Sequence, residues 1–135
     1  MRQFILTIWT VFALTVGPIA AAQDTPIEDV ISAQIEAFKL DDFERAFTYA
    51  SSTIQQTFGD AERFGVMVQR GFPMVWRPAD VTFLGLETRN GALRQDVLVR
   101  DGAGASHVLE YEMIEGETGW KINGVRIRQP EGFAA

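Results

Sequence analysis

Few residues in this chain have the types and spacing for chemistry. His107 is the lone histidine, hence the one side chain whose unperturbed charge changes near neutral pH. A hydrolytic triad would need a nucleophile and an orienting acid beside it. Ser106 is its neighbour on what reads as a strand, so the two side chains leave opposite faces. Ser51 or Ser52 would reach it only through tertiary folding. Asp41 with Asp42, and Glu110 with Glu112, are the carboxylate pairs that acid/base work would call on, provided a water-excluded site separates their pKa values. Simpler roles are open to both. Asp41 and Asp42 stand where a helix N-terminus favours negative charge, and Glu110 and Glu112 share a solvated strand face with Arg94, Arg100 and Arg126 as cross-strand partners. With one histidine and no cysteine, no zinc or iron ligand set is spaced for binding, so neither metal nor cofactor is expected. Gly102-Ala103-Gly104 is turn material, because no helix with Lys-Ser or Lys-Thr follows it.

Recognition has better candidates than catalysis. Trp76, Arg77, His107, Tyr111 and Trp120 combine aromatic faces with a guanidinium fork, the side chains that hold a small amphipathic or anionic ligand. His107 and Tyr111 fall on the same strand face as Leu109 and Met113, which turns all four inward. The competing reading makes Trp76 and Trp120 core residues and pairs Arg77 with Asp80.

These residues need elements to position them, and the sequence offers helices first and strands second, the order of an α+β fold. Thr25-Pro26-Ile27-Glu28 has the cap, the proline and the glutamate of a helix start, after which Ile27, Val30, Ile31, Ile35 and Phe38 share one face. Asp41 or Asp42 can cap a second helix carrying Phe43, Ala46, Phe47 and Ala50. A helical turn over 53–58 leads to Gly59, and Asp60 caps a third helix with Phe64, Met67 and Val68 buried and Gly71 as its stop. The stretch from Phe72 to Pro78 is expected to be extended, since proline disfavours helical geometry in its predecessor. Strands follow over 81–88, 92–100, 106–115 and 119–128, joined by Asn90-Gly91, Asp101-Gly102-Ala103-Gly104 and Gly116-Glu117. An antiparallel meander is the simplest arrangement, with one face on the helices and the other in water.

Composition sets the outer bounds. The chain has 135 residues, 47% hydrophobic and 22% charged, enough for one cooperative domain without disulfides. Its net charge of −6 is the wrong sign for a nucleic-acid partner. Residues 1–22 read as a secretory signal: Arg2, an apolar run from Phe4 to Val16, a break at Gly17-Pro18, and Ala20-Ala21-Ala22 before cleavage between Ala22 and Gln23. The mature domain would then span 23–129, with 130–135 as a loose tail. The expected location is periplasmic or secreted, with no membrane span after cleavage. An uncleaved anchor through residues 4–22 is the alternative.

A resemblance supports this outline. Ala37-Phe38, Asp41-Asp42, Ala46-Phe47, Ala50-Ser51, Phe58-Gly59-Asp60, Glu62-Arg63-Phe64, Met67-Val68, Arg70-Gly71-Phe72-Pro73 and Val75-Trp76-Arg77-Pro78 together resemble the bacterial domain of unknown function family 4864, small exported proteins of Gram-negative bacteria. Phe72 and Trp76 stand where tyrosine is frequent in that family, which keeps the aromatic character and removes a hydroxyl. The element order is also similar to the cone-shaped nuclear transport factor 2-like fold. The resemblance implies a fold and a compartment and carries over no activity.

Three functions are consistent with the sequence. A non-catalytic exported module binding a small ligand or an envelope protein accounts for the missing catalytic groups. A cone-fold enzyme of isomerase, dehydratase or hydrolase type would use His107 as proton carrier, with Tyr111 or Arg77 stabilising negative charge. A homodimer through the exposed sheet face is the third.

Overall fold

Caps and turn residues set the element boundaries in the computed structural model, which describes residues 24–128. The signal-like segment 1–22, its Ala22/Gln23 cleavage point and the tail 130–135 lie outside the described residues. Five helices precede four strands: α1 (Asp24–Lys39), α2 (Phe43–Thr48), α3 (Ser52–Phe58), α4 (Ala61–Gly71), α5 (Pro73–Trp76), β1 (Pro78–Arg89), β2 (Ala92–Asp101), β3 (Ser106–Gly116) and β4 (Gly119–Arg128). Among the described residues, no helix is long and apolar enough to cross a membrane.

Side-chain caps start three helices by taking up backbone N–H groups that have no partner inside the helix. Asp42 accepts from Arg45 N at 3.2 Å, Ser51 from Ile54 N at 3.3 Å and Asp60 from Arg63 N at 2.8 Å. The first helix begins at Asp24, one residue before the start expected at Thr25. The expectation of an extended 72–78 segment is corrected. Phe72 does leave helical geometry, at φ −135° and ψ 52°, as the residue before a proline should. Pro73, however, takes the first position of a new turn, where its fixed φ suits a helix and its missing N–H costs nothing. Val75 N and Trp76 N then donate to Phe72 O, and α5 forms.

The sheet is an antiparallel meander in the order β1-β2-β3-β4. Asn90 and Gly91 both have positive φ, 52° and 78°, the backbone of the tight two-residue hairpin that their types favour. Three irregularities shape the sheet. Ala79 is an extra residue of β1 between Pro78↔Asp101 and Asp80↔Arg100, and further along β1 Leu84 and Gly85 together stand opposite the single Asp96, a bulge between Phe83↔Val97 and Leu86↔Gln95. Asn123 is the extra residue of β4 between Met113↔Ile122 and Glu112↔Gly124. The edge of β4 is covered by the turn between α2 and α3, where Ser51 N donates to Ile122 O at 2.8 Å and Ile122 N to Tyr49 O at 2.9 Å.

Helix α1 packs against α2, α5 and β4, and α4 against α2, α3 and α5. Ile27, Ile31, Ile35 and Phe38 from α1 meet Val97, Val99, Leu109, Tyr111, Met113 and Ile122 from the sheet in one core. Val30, Phe43, Phe47 and Met67, expected inside, are only partly covered. On the opposite face the expectation of solvated glutamates needs correcting. Glu110 is 6% exposed and Asp96 is 8% exposed, because arginine stems from three strands close over them. Arg126 Nη2 and Arg128 Nε donate to Glu110 at 2.7 and 2.9 Å, while Arg89 Nη2 and Arg128 Nη2 donate to Asp96 at 2.7 and 2.9 Å. Arg94 stands 3.7 Å from Glu110 and 3.5 Å from Glu112.

Candidate functional site

The inward side of the sheet and the helices above it leave a cavity of about 230 Å³. Its buried floor includes Gln34 and Phe38 from α1, Phe64 and Val68 from α4, Val75 from α5, Tyr111 from β3 and Ile122 from β4. Half-buried Ile54, Phe58, Met67, Phe72, Gly124 and Val125 form the rest of the wall, so the mouth opens between α3, α4 and the second half of β4. The Asn123 bulge helps shape that mouth, because it lets both Ile122 and Val125 face the cavity. Asn123 itself is held from two sides: Ser51 Oγ donates to its Oδ1 at 2.7 Å, and its Nδ2 donates to Glu112 Oε2 at 2.7 Å.

Among the described residues, two polar side chains line this space. Gln34 donates its Nε2 to Ala46 O at 3.1 Å, fixing α1 to α2. Tyr111 is fully buried and its hydroxyl has no hydrogen-bond partner. Burial drives its phenol pKa far upward, so the group stays protonated and remains an O–H donor. A buried hydroxyl without a partner costs about 1–3 kcal/mol.

The other recognition candidates lie elsewhere. Trp76, Arg77 and His107 border a shallower groove with Pro73, Met74, Asp101 and Gly102. Their polar atoms are largely committed within the protein. Asp41 Oδ1 accepts Trp76 Nε1 and Arg77 Nη2, each at 2.9 Å, and these bonds, the tryptophan's foremost, hold the Asp41 carboxyl below its usual range. Arg77 Nη1 donates to Phe38 O at 2.8 Å, and its guanidinium carbon lies 4.2 Å from the Trp76 ring centre. Arg77 therefore pairs with Asp41 instead of Asp80, and Asp41 ties the end of α1 to the helix-to-sheet junction while Asp42 alone caps α2.

His107 Nε2 lies 2.9 Å from Asp101 Oδ2. Asp101 Oδ1 accepts Ala103 N and Ala105 N at 3.0 and 2.9 Å, which fixes the turn between β2 and β3. The histidine bond leads, with Ala105 N next, in lowering the Asp101 pKa. Ser51, committed to Asn123, is not available to His107. Trp120 packs against the core from the start of β4 and lines neither space. The five candidates thus divide into three places. Among the described residues, no cluster of three or more histidines or carboxylates is arranged to hold a metal ion.

The model for Domain of unknown function (DUF4864) matches residues 20–135, most of the chain. The chain belongs to that family. No curated protein and no solved structure matches it. In this DUF4864 protein, sequence reasoning missed most of the cavity lining: Ile54, Phe58 and Val125 were given no part in a site. The signal available was Tyr111 itself, a phenol between Leu109 and Met113 on the inward face of β3.

Proposed function

We propose that this DUF4864 protein is a non-catalytic binding module that takes a small, largely apolar ligand into the cavity between helices and sheet. The largely apolar lining of the hollow, in which Gln34 and Tyr111 are the polar residues among those described, carries this reading. A native core seldom keeps such a void, since it is destabilising; an apolar guest removes that cost. In this reading the chain is exported, with residues 1–22 acting as its signal, and it keeps or presents the ligand in the envelope. The cone-like resemblance is consistent with an interior site but adds no substrate.

The enzyme alternative requires His107 and Tyr111 around one substrate. They are four residues apart on one strand, about 13 Å at strand spacing, and they border different spaces.

The test is fluorescence titration of the mature protein with 1-aminonaphthalene, an uncharged probe small enough for the hollow that brightens in apolar surroundings. Saturable brightening in the wild type, lost in Val68→Phe, is the expected result. No saturable uptake up to the probe's solubility limit would overturn the proposal. So would undiminished uptake by a folded Val68→Phe variant, whose added ring should fill the hollow.

A further inference from the structure

The wall of the cavity between helices and sheet also limits the class of guest. This step rests on the binding reading above and uses separate observations, the charge of the wall and the arrangement of its rings. Among the described residues, the fourteen that line it include no lysine, arginine, histidine, aspartate or glutamate. Arg77, the cation that the sequence offered to an anionic ligand, is spent on Asp41 and Phe38 O and borders the other groove. A carboxylate or phosphate entering the cavity would lose its water without gaining a counter-ion, a strongly unfavourable exchange, and an ammonium group would lose its water in the same way.

Rings dominate what is left. Phe38, Phe58, Phe64 and Phe72 all border the space, the first and third buried and the other two half-buried. Phe64 joins three of them into a cluster: its ring centre lies 5.9 Å from that of Phe38 and 5.9 Å from that of Phe58, the latter edge-on at 63°. Phe72 differs, because among the described residues its ring pairs with none of the others. Aromatic rings gain from tilted or edge-on neighbours at about 4.5–7 Å, beyond the area they bury. A flat guest would extend the Phe38–Phe64–Phe58 cluster and give Phe72 the ring neighbour it lacks. Met67 borders the same space, and a thioether packs favourably at a ring edge. Size agrees with this class. An apolar cavity of roughly 150 Å³ accommodates benzene, so about 230 Å³ open at its mouth suits one ring with a short substituent or two fused rings.

We infer that the ligand is an uncharged compound of one or two aromatic rings, held by ring contacts to Phe38, Phe58, Phe64 and Phe72. The sequence alone had left an anionic ligand open, with Arg77 as its partner. The cavity wall favours a neutral one.

The experiment displaces 1-aminonaphthalene with three eight-carbon competitors: ethylbenzene, its saturated counterpart ethylcyclohexane, and phenylacetate at pH 8. Ethylbenzene should compete about tenfold or more better than phenylacetate, which carries the same ring and a charge. Phe72→Leu keeps an apolar side chain and removes the ring, so it should weaken ethylbenzene about twofold to tenfold, the worth of one aromatic pair, and change ethylcyclohexane less. Comparing each competitor with itself in wild type and variant cancels their different solubilities in water. Phenylacetate equal to or better than ethylbenzene would overturn the neutral-guest inference and leave the cavity reading standing. Equal losses for the saturated and aromatic rings in Phe72→Leu would overturn the ring contacts at that position; where that variant does not fold, Phe58→Leu replaces it. Failure of ethylbenzene to displace a probe that Val68→Phe excludes would overturn the aromatic class alone. Probe uptake that a folded Val68→Phe variant does not reduce fails the binding reading itself.

Discussion

Gln95 stands directly opposite Tyr111 across the β2–β3 ladder, and the two fully buried polar side chains have unequal partners. Gln95 Nε2 donates to Asp96 O at 2.9 Å and Leu84 O at 3.1 Å, and lies 3.4 Å from Gly85 O. It therefore feeds the carbonyls that the β1 bulge withdraws from the ladder. The Tyr111 hydroxyl has no such partner. One of these neighbours is tied into the sheet by its amide, and the other packs in the core with its hydroxyl unsatisfied.

Tyr111→Phe should for this reason stabilise the empty protein, by about 1 kcal/mol, since it deletes an unsatisfied buried hydroxyl and little else. The usual buried tyrosine, hydrogen-bonded at its hydroxyl, loses stability on the same change. Urea denaturation of ligand-free wild type and variant reads the sign. A variant less stable by 1 kcal/mol or more would mean that the hydroxyl is already satisfied.

Gln95→Leu keeps the approximate volume and removes the amide, leaving the bulge carbonyls of Leu84 and Gly85 without their donor. A loss of about 1–2 kcal/mol is expected, from bulge carbonyls left without their amide donor. Hydrogen exchange should show faster opening of β1 near the bulge than of β3. Uniform protection across both strands would contradict a bulge-specific role.

Most of the secondary structure was legible because its signals are local. Asp60 and Gly59 mark a helix boundary within neighbouring residues, and Asn90-Gly91 specifies a hairpin by itself. The α5 turn was misread where two local rules apply to adjacent positions: Pro73 constrains Phe72 before it and favours a helix start at its own position. The cavity was illegible for a different reason, since its wall is drawn from α1, α3, α4, α5, β3 and β4 and no window of sequence contains it. The burial of Glu110 falls between these cases. Arg94, Asp96, Glu110, Glu112, Arg126 and Arg128 share one strand face by alternation, but that arginine stems would exclude water from the centre depends on three strands meeting. Phe72 and Trp76, read from sequence as one aromatic stretch, divide between the two spaces because α5 turns them apart.

Gly65→Ala should destabilise the protein by about 1–3 kcal/mol, although alanine ordinarily favours a helix interior over glycine by about 1 kcal/mol. A Cβ at this position of α4 would lie 2.7 Å from the Phe43 ring, in the packing of α4 on α2. Gly71, the last residue of the same helix, has open space where its Cβ would go and no positive φ. Gly71→Ala should accordingly be neutral or stabilising by up to about 0.5 kcal/mol. Thermal melts of the two variants side by side separate close packing from helix propensity, and equal shifts in one direction would refute the contact.

Acid should weaken the fold through the outer sheet face. Hydrogen bonds from Arg126 and then Arg128 lower the Glu110 pKa from the ordinary 4.5 to about 2, against the opposing effect of burial. A folded-state pKa below the unfolded one means that the ionised group binds fewer protons when native. Its contribution is complete above about pH 4.5 and is lost as pH falls through about 2. Asp41 and Asp101, both lowered, add to the same trend. Glu110→Gln keeps the shape but takes from Arg126 its carboxylate and from Arg128 one of two, the other being Asp96, so at pH 7 it should cost about 2–3 kcal/mol. Because the variant no longer titrates at this site, its stability should fall less steeply than wild type between about pH 4.5 and 2. Urea midpoints followed down that range test both parts. Parallel curves for the two proteins would show that the arginines do not favour ionised Glu110, and that the buried carboxylate at the centre of the face is not what makes the fold acid-sensitive.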